Sequence, residues 1–290
     1  MFTGAMVALI TPFQDGEIDY QTLDELIEFQ LESGIDAIVP VGTTGESPTL
    51  SHEEHKQVIN RIVDVVDGQT PVIAGAGSNS TAEAIELTAY AKKVGADATL
   101  QVTPYYNKPT QEGFYQHFKA IAEEVDLPMV LYNIPGRCGA GMTPETIARL
   151  AEVENIVAIK EATGSLDQAS EISIRCDLTI ISGDDSLTLP LASVGGKGVI
   201  SVVANIVPAD VKAMTDLILE GDLASARQWH NKLFALCKNM LTLATNPIPI
   251  KAAVSMLNMA PEELRLPMTP LEESKKAVLR QTLRDYGLLE

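Results

Sequence analysis

Two short apolar runs, PMVLY at residues 128–132 and IVAIK at residues 156–160, show most directly how this chain folds. Both are nearly continuous in aliphatic residues and do not alternate with polar ones, which indicates strands buried on both faces. Such strands are typical of a parallel sheet covered by helices, and an antiparallel sandwich is disfavoured. Six more runs of this kind are AMVALI from residue 5, AIVPV from 37, PVIAG from 71, ATLQV from 98, LTIIS from 178 and GVISV from 198.

Amphipathic segments separate these runs, with apolar residues three or four positions apart, and this spacing predicts helices. Examples are Tyr20–Glu32, His52–Val66, Thr81–Val94 and Gln111–Glu124. Eight such units over about 220 residues favour an α/β protein of the (β/α)8 TIM barrel type, which needs about 250 residues. A doubly wound sheet is a weaker interpretation because no GxGxxG motif follows the first strand.

The strand pattern stops near residue 223, and only helical patterns follow. They predict helices at residues 224–243, 248–257 and 271–286, with proline-containing turns at 246–249 and 266–270. We therefore predict two units: a catalytic barrel over residues 1–223 and a small C-terminal all-helical extension over residues 224–290.

The composition predicts a globular protein in water. The formal net charge of −18 repels phosphate backbones and anionic membranes, so we expect neither a nucleic-acid partner nor membrane association. No apolar run reaches the roughly 18 residues that span a bilayer. Cys138, Cys176 and Cys237 have neither CxxC nor metal-ligand spacing, and no signal-peptide pattern opens the chain, which predicts a reducing, cytoplasmic location.

Lys160 is the first candidate for chemistry, because reactive side chains in such barrels project from the carboxyl ends of strands. We expect Val157 and Ile159 to surround its aliphatic stem. An apolar environment lowers a lysine pKa from about 10.4, and a neutral amine attacks carbonyl carbons. The alternative, which this residue alone would favour, is a lysine that reaches solvent and pairs with Glu161.

Three hydroxyl groups follow other strands and could move protons to and from an imine: Thr44, Tyr106 and Tyr132. Each also has an ordinary interpretation, since Tyr132 could be a packing aromatic and the pair Tyr105-Tyr106 an exposed loop or a subunit contact. Their convergence with Lys160 is what favours a catalytic site.

Two groups could hold carboxylates. The GTTG turn at residues 42–45 leads into a helix, whose N-terminus and free N–H groups attract anions. Arg137 lies in a loop just beyond Tyr132, where a guanidinium could bind a second carboxylate. A common strand-to-helix turn and a solvated arginine are the alternatives.

Two acidic or histidine-containing motifs are given no chemistry. His52 and His55 do not have the HExxH zinc spacing and are expected to lie on a helix face in water, so we predict no metal. One of Asp184 and Asp185 is expected to cap the helix that follows.

Four motifs together resemble the dihydrodipicolinate synthase family: GTTGE at residues 42–46, VTPYYN at 102–107, YNIPGR at 132–137 and IKEATG at 159–164. The likeness runs from residues 1–4 to residues 264–270. It implies a lyase that condenses pyruvate with L-aspartate 4-semialdehyde to 4-hydroxy-tetrahydrodipicolinate in the diaminopimelate and lysine pathway, with no metal or organic cofactor.

The resemblance also implies a role for each matching residue. Lys160 would hold pyruvate as an imine, and Thr44, Tyr106 and Tyr132 would form the proton relay, Tyr106 reaching the site of a neighbouring subunit in a tight dimer. Thr43 and Thr44 match the pyruvate carboxylate site, Arg137 the semialdehyde carboxylate site, and Gly183 and Ile200 the lining of the imine pocket.

Family members from bacteria can be inhibited by lysine at the dimer interface, and the resemblance implies the same here. The matching positions are Ser47, His52, His55, Asn79, Glu83 and Tyr105, and the expected assembly is a homodimer or a homotetramer built from two dimers. Cys138 and Pro48 depart from the common family pattern.

Two other functions are weighed against this one. The nearest is a sister lyase that acts on a sugar acid such as N-acetylneuraminate by the same imine chemistry, and Arg137 speaks against it. From a different class, the chain could be a barrel that has lost catalysis and serves as a binding scaffold.

Overall fold

Eight parallel strands form the centre of the molecule in the computed structural model, which describes residues 2–290. Each of the eight apolar runs identified in the sequence overlaps one of them. The strands are Gly4–Ala8, Ala37–Val39, Ile73–Gly75, Ala98–Val102, Met129–Asn133, Ile156–Glu161, Thr179–Ser182 and Gly198–Ser201.

The sheet closes on itself. Each strand pairs in parallel with the next one along the chain, and the eighth strand pairs with the first. A bridge between Ile38 and Val72 joins the second strand to the third, and the N–H of Ile38 donates to the carbonyl of Pro71 at 2.9 Å. The predicted (β/α)8 TIM barrel is therefore confirmed.

Helices connect successive strands along the outside of the barrel. The four helices that the apolar spacing predicted have the predicted bounds, and each begins at a polar residue whose side chain accepts a hydrogen bond from the first turn. The longer connecting helices are Tyr20–Glu32, His52–Val66, Thr81–Val94, Gln111–Glu124, Pro144–Leu150, Leu166–Arg175, Thr188–Ala192 and Pro208–Glu220.

Shorter elements were not predicted. They comprise a hairpin of Phe13–Gln14 with Glu17–Ile18, a one-turn helix at Pro135–Cys138, and 3₁₀ turns at Ser47–Thr49, Asp185–Leu187 and Val203–Asn205. Most of them follow barrel strands at the end where the candidate residues lie, so they shape the barrel mouth.

Three helices follow the barrel, at Leu223–Thr242, Ile248–Met256 and Glu273–Tyr286, and the predicted all-helical extension is confirmed. Their apolar residues, such as Leu236 and Leu279, belong to the same buried cluster as Val203 and Met214 of the barrel. The division at residue 223 into two units stays a prediction. No helix within residues 2–290 is long and apolar enough to cross a membrane.

A fully buried ion pair joins the extension to the barrel. The ammonium of Lys251 contacts the carboxylate of Glu46 and donates to the carbonyl of Glu263 at 2.7 Å. The second oxygen of Glu46 accepts from the N–H of Arg265 at 3.2 Å. Because Glu46 ends the GTTGE motif, this pair fixes one end of the turn at residues 42–46.

Replacement of Lys251 by methionine should destabilise the fold by about 3–5 kcal/mol, because it leaves the Glu46 carboxylate buried without its cation. Urea denaturation measures this change. The matched control is Lys56→Met, which removes a lysine whose partner Glu86 is exposed, and which should change stability little. Equal stability of the two variants would contradict the structural role of the buried pair.

Candidate active site

Lys160 lies on the inner face of the barrel near its carboxyl end. Its neighbours across the sheet are Tyr132 and Ile181, and its side chain is 6% exposed. Successive residues of a strand face opposite sides, so Ile159 packs with the outer helices and does not line the lysine. The expectation that Ile159 surrounds the stem was therefore wrong; the walls come from neighbouring strands.

Burial gives Lys160 the acid–base property that an imine-forming lysine needs. Loss of hydration lowers its pKa to about 7, the Asp185 carboxylate opposes this shift, and the Arg137 guanidinium adds to it. The ammonium nitrogen lies 4.3 Å from the centre of the Tyr132 ring. About half of the amine is then neutral at pH 7, and a neutral amine is a nucleophile.

Asp185 was given no chemistry in the sequence, and its position is informative. It is buried, accepts hydrogen bonds from the Ser201 hydroxyl and from the N–H of Val202 at 2.9 Å, and its pKa rises to about 6 because of burial. At neutral pH it therefore carries a negative charge that acts on Lys160. Asp184 is the residue that caps, accepting from the N–H of Ser186 at 2.9 Å.

Tyr132 is buried beside the lysine. Burial raises the pKa of its hydroxyl to about 12, while the Arg137 charge and the nearby Thr43 side chain oppose part of this rise. The phenol is therefore protonated at neutral pH, so it can donate a proton or a hydrogen bond to a group that forms on Lys160.

The turn at residues 42–45 differs in one respect from the expectation. It leads into the 3₁₀ turn Ser47–Thr49, and the α-helix begins only at His52, so no α-helix N-terminus adjoins the turn. Within residues 2–290 the N–H groups of Thr43 and Thr44 have no protein acceptor, whereas those of Glu46 and Ser47 bond back to the turn. These two free donors remain suited to a carboxylate.

Thr44 and Arg137 share a partner that sequence reasoning missed. The Asn246 side-chain amide donates to the Thr44 hydroxyl at 3.0 Å, and Arg137 donates to the Asn246 carbonyl at 3.0 Å. In the sequence Asn246 was only part of a proline-containing turn, and no local signal marks a contact between residues 202 positions apart.

Gly183 and Ile200 both lie beside the lysine. A Cβ atom at Gly183 would stand 3.2 Å from Cε of Lys160 and 2.6 Å from Cβ of Ala162, so a larger residue would displace the lysine stem. Ile200 packs in the inner barrel cluster together with Tyr132 and Ile181. Both positions therefore restrict the space around the amine.

Tyr106 does not join the site of its own chain. It is 90% exposed, and its backbone has a φ of 70°, the left-handed conformation that non-glycine residues seldom adopt. The loop thus presents the side chain outward from the barrel mouth.

The remaining candidates line a cavity of about 430 Å³ that also reaches Tyr132. Ser47, His52, His55, Glu83 and Tyr105 lie in its wall, as do Thr43, Tyr132 and Arg137. Asn79 lies next to this wall, where its side chain donates to the carbonyl of Tyr105 at 3.1 Å. The structure thus brings all six positions of the expected inhibitor site together.

The two histidines have different environments. His52 is exposed, as expected of a helix face in water, and contacts the Glu83 carboxylate at 2.6 Å. His55 is buried, which that interpretation did not foresee: it bonds the Gly75 carbonyl at 2.7 Å, and burial lowers its pKa, so it is neutral at pH 7. Across residues 2–290, no group of three or more potential ligands could hold a metal.

Known proteins resemble this chain over its whole length. Residues 1–286 match the dihydrodipicolinate synthetase family. A relative from Geotalea uraniireducens, named 4-hydroxy-tetrahydrodipicolinate synthase, is 54% identical over 291 residues, covering 100% of both chains.

Solved structures agree with the sequence matches. The chloride-inhibited dihydrodipicolinate synthase of Acinetobacter baumannii, complexed with pyruvate, superposes with a TM-score of 0.97 at 46% identity over 100% of both chains. The enzyme of Cyanidioschyzon merolae with lysine bound superposes with a TM-score of 0.96 at 44% identity over 99% of both. The predicted resemblance and the lyase class are confirmed, and the chain belongs to the dihydrodipicolinate synthetase family.

Proposed function

We propose that this chain condenses pyruvate with L-aspartate 4-semialdehyde to 4-hydroxy-tetrahydrodipicolinate, and that Lys160 is its nucleophile. The observation that carries the proposal is the buried amine of Lys160, whose pKa is lowered to about 7 and which faces the Tyr132 ring at the barrel mouth. The family membership and the relatives' name support the same reaction.

The chemistry follows from a neutral amine. Nζ of Lys160 attacks C2 of pyruvate, water leaves, and the imine loses a methyl proton to become an enamine, whose carbon bonds to the aldehyde carbon of the second substrate. The amino group of the second substrate then attacks the resulting imine carbon, which closes the ring, and Lys160 leaves as the free amine. Tyr132, protonated at neutral pH, gives its proton to the hydroxyl that leaves as water, and it regains a proton from the one that the imine methyl group releases; Thr44 and Tyr106 extend this relay.

Binding of the two carboxylates is assigned to two separate groups at the mouth. The free N–H groups of Thr43 and Thr44 would hold the pyruvate carboxylate. Arg137, which lines the same cavity as Tyr132, would bind the carboxylate of the semialdehyde. Gly183 and Ile200 would limit the pocket to a small 2-oxo acid.

Trapping of pyruvate on Lys160 should depend on pH with a midpoint near 7, rising towards higher pH as the amine loses its proton. The measurement is the initial rate at which cyanoborohydride reduces the pyruvate imine, followed as the increase in mass of the intact protein. Asp185→Asn should move this midpoint to lower pH, because it removes the negative charge that favours the ammonium form.

Two control variants accompany this experiment. Asp184→Asn changes a neighbouring carboxylate that caps a turn and should leave the midpoint in place. Lys160→Ala should acquire no pyruvate-derived mass. A midpoint near the ordinary lysine value, or mass on another residue, would contradict the role of Lys160.

We infer that the active unit is at least a homodimer, and a homotetramer of two dimers is the larger assembly we propose. Support comes from Tyr106, whose loop holds the side chain away from its own barrel. A relay that needs this hydroxyl requires a second chain to supply it. We also propose a cytoplasmic location, supported by three cysteines that are free within residues 2–290.

Mixed subunits test the shared site. Inactive Lys160→Ala and impaired Tyr106→Phe chains, refolded or exchanged together, should regain activity, because the intact Lys160 of one chain then meets the intact Tyr106 of the other. The control mixture of Lys160→Ala with Tyr132→Phe should regain none, since those two residues belong to the same chain's site. Equal behaviour of both mixtures would contradict a shared site.

We propose L-lysine as an inhibitor that binds where Ser47, His52, His55, Asn79, Glu83 and Tyr105 meet. The cavity is continuous with the catalytic residues, and the Glu83 carboxylate already accepts bonds from His52 and from Ser78, which hold it in the wall. This carboxylate is suited to an ammonium group.

Glu83→Gln should raise the lysine concentration for half-inhibition about tenfold or more, because a charged hydrogen-bond partner is lost. Initial rates over a lysine series measure it. The control is Glu86→Gln, an exposed change on the same helix Thr81–Val94. Its lysine concentration for half-inhibition should equal that of the parent chain. Identical half-inhibition in all three proteins would remove Glu83 from the inhibitor site.

A further inference from the structure

Asn246 is the one described residue with hydrogen bonds to both Thr44 and Arg137. It lies between the helices Leu223–Thr242 and Ile248–Met256, in the segment predicted to be outside the catalytic barrel, and it is 7% exposed. We propose that Asn246 is a positioning residue that sets the direction of the proton relay through Thr44. This inference rests on the relay role given to Thr44 above.

The direction follows from donors and acceptors. An amide NH₂ group only donates, so the bond from Nδ2 of Asn246 occupies a lone pair of the Thr44 oxygen. The hydroxyl hydrogen of Thr44 must then point to another acceptor. The turn adjoins the reacting groups, since the side chain of Thr43, the neighbour of Thr44, lies at the Tyr132 hydroxyl. The Thr44 proton, which cannot point to the Asn246 NH₂ group, is therefore free to point towards that side.

The contact with Arg137 uses a different part of Asn246. The guanidinium donates to the backbone carbonyl, which no substitution of the side chain removes. A change of the amide therefore acts on Thr44 and spares this anchor of Arg137. This separation predicts an effect on kcat that exceeds the effect on KM for the semialdehyde.

Backbone hydrogen bonds of the neighbouring residues 245–251 hold Asn246 in place. The N–H of Ile248 donates to the Thr245 carbonyl and that of Lys251 to the Pro247 carbonyl, both at 3.0 Å. Lys251 in turn forms the buried ion pair with Glu46. Two contacts, Asn246 with Thr44 and Lys251 with Glu46, thus join the extension to the same catalytic turn.

The side chain of Asn246 has one further useful property. In the part of the chain that is described, its Oδ1 is buried without a hydrogen-bond partner, so the bond to Thr44 is the only described one that its side chain makes. Removal of the amide therefore breaks only one described hydrogen bond, the one to Thr44.

The experiment is a double-mutant cycle with Asn246→Ala and Thr44→Val, with kcat and KM measured for both substrates. Asn246→Ala should lower kcat about tenfold, and Thr44→Val about a hundredfold. The double variant should match Thr44→Val alone within about twofold, since an amide that acts through the hydroxyl has no effect once the hydroxyl is absent. Additive losses would overturn the proposal.

A second variant tests direction. Asn246→Asp keeps the shape but replaces the donor by an acceptor, which would turn the Thr44 proton towards the extension, so its kcat should fall at least as far as that of Asn246→Ala. Parental kcat in Asn246→Asp would overturn the assigned direction. Thr245→Ala, an exposed change in the same linker, is the control and should retain parental kcat.

Melting temperatures and pyruvate trapping on Lys160 complete the measurement. Unchanged melting together with a tenfold loss of kcat supports positioning; a loss of kcat that follows melting across the variants overturns it. The parent chain distinguishes failure of this proposal from failure of the proposed function. If pyruvate cannot be trapped on the parent chain, the proposed function is refuted. If the parent chain is active and the losses of kcat in the variants are additive, only the role of Asn246 is refuted.

Discussion

The removal of one amine from water is the constraint on which the site depends. A lysine at the end of an inner barrel strand loses its hydration, and this loss lowers its pKa to about 7. The shift is limited by Asp185, a carboxylate held in its own buried set of hydrogen bonds. Without burial and without Asp185, the amine would be fully charged at neutral pH. With burial but without Asp185, its pKa would fall further, because no negative charge would favour the ammonium form.

The barrel supplies this environment through its geometry. Because alternate residues of a strand face inward, Lys160 meets Tyr132 and Ile181 of the flanking strands and not the apolar neighbours in its own run. Gly183 then leaves space for the stem, since any Cβ there would press on Cε. The close packing that buries the amine also brings the phenol near it.

The sequence predicted the barrel well because each element carries a local signal. Eight aliphatic runs mark the strands, and apolar residues three or four positions apart mark the longer helices. Lys160 taken alone favoured an ordinary lysine that reaches solvent, and it could be singled out only because hydroxyl groups follow other strands at the same end of the barrel. The family resemblance then implied which residues surround Lys160. The structure does place Tyr132, Gly183 and Ile200 close to this lysine.

Contacts between distant segments could not be predicted in this way. Asn246 meets Thr44 across 202 positions, and the pair Lys251 and Glu46 is separated by 205. Neither of Asp184 and Asp185 could be assigned its role from sequence, because which carboxylate caps and which is buried depends on the turn that follows the strand. The free N–H groups of the turn at residues 42–45 were expected, but the 3₁₀ turn that follows them in place of an α-helix was not.

The extension thus has a closer relation to the site than its all-helical composition suggested, since Asn246 and Lys251 bond to the turn at residues 42–46. The proposed catalysis, and with it any role of the extension, requires that the Lys160 amine is neutral when the substrate binds. The most direct test is an NMR titration of ¹³Cε-labelled lysine, with the Lys160 resonance assigned by its loss in Lys160→Met. The account predicts a pKa of about 7 for this amine; a pKa near the usual lysine value of about 10.4 would contradict it.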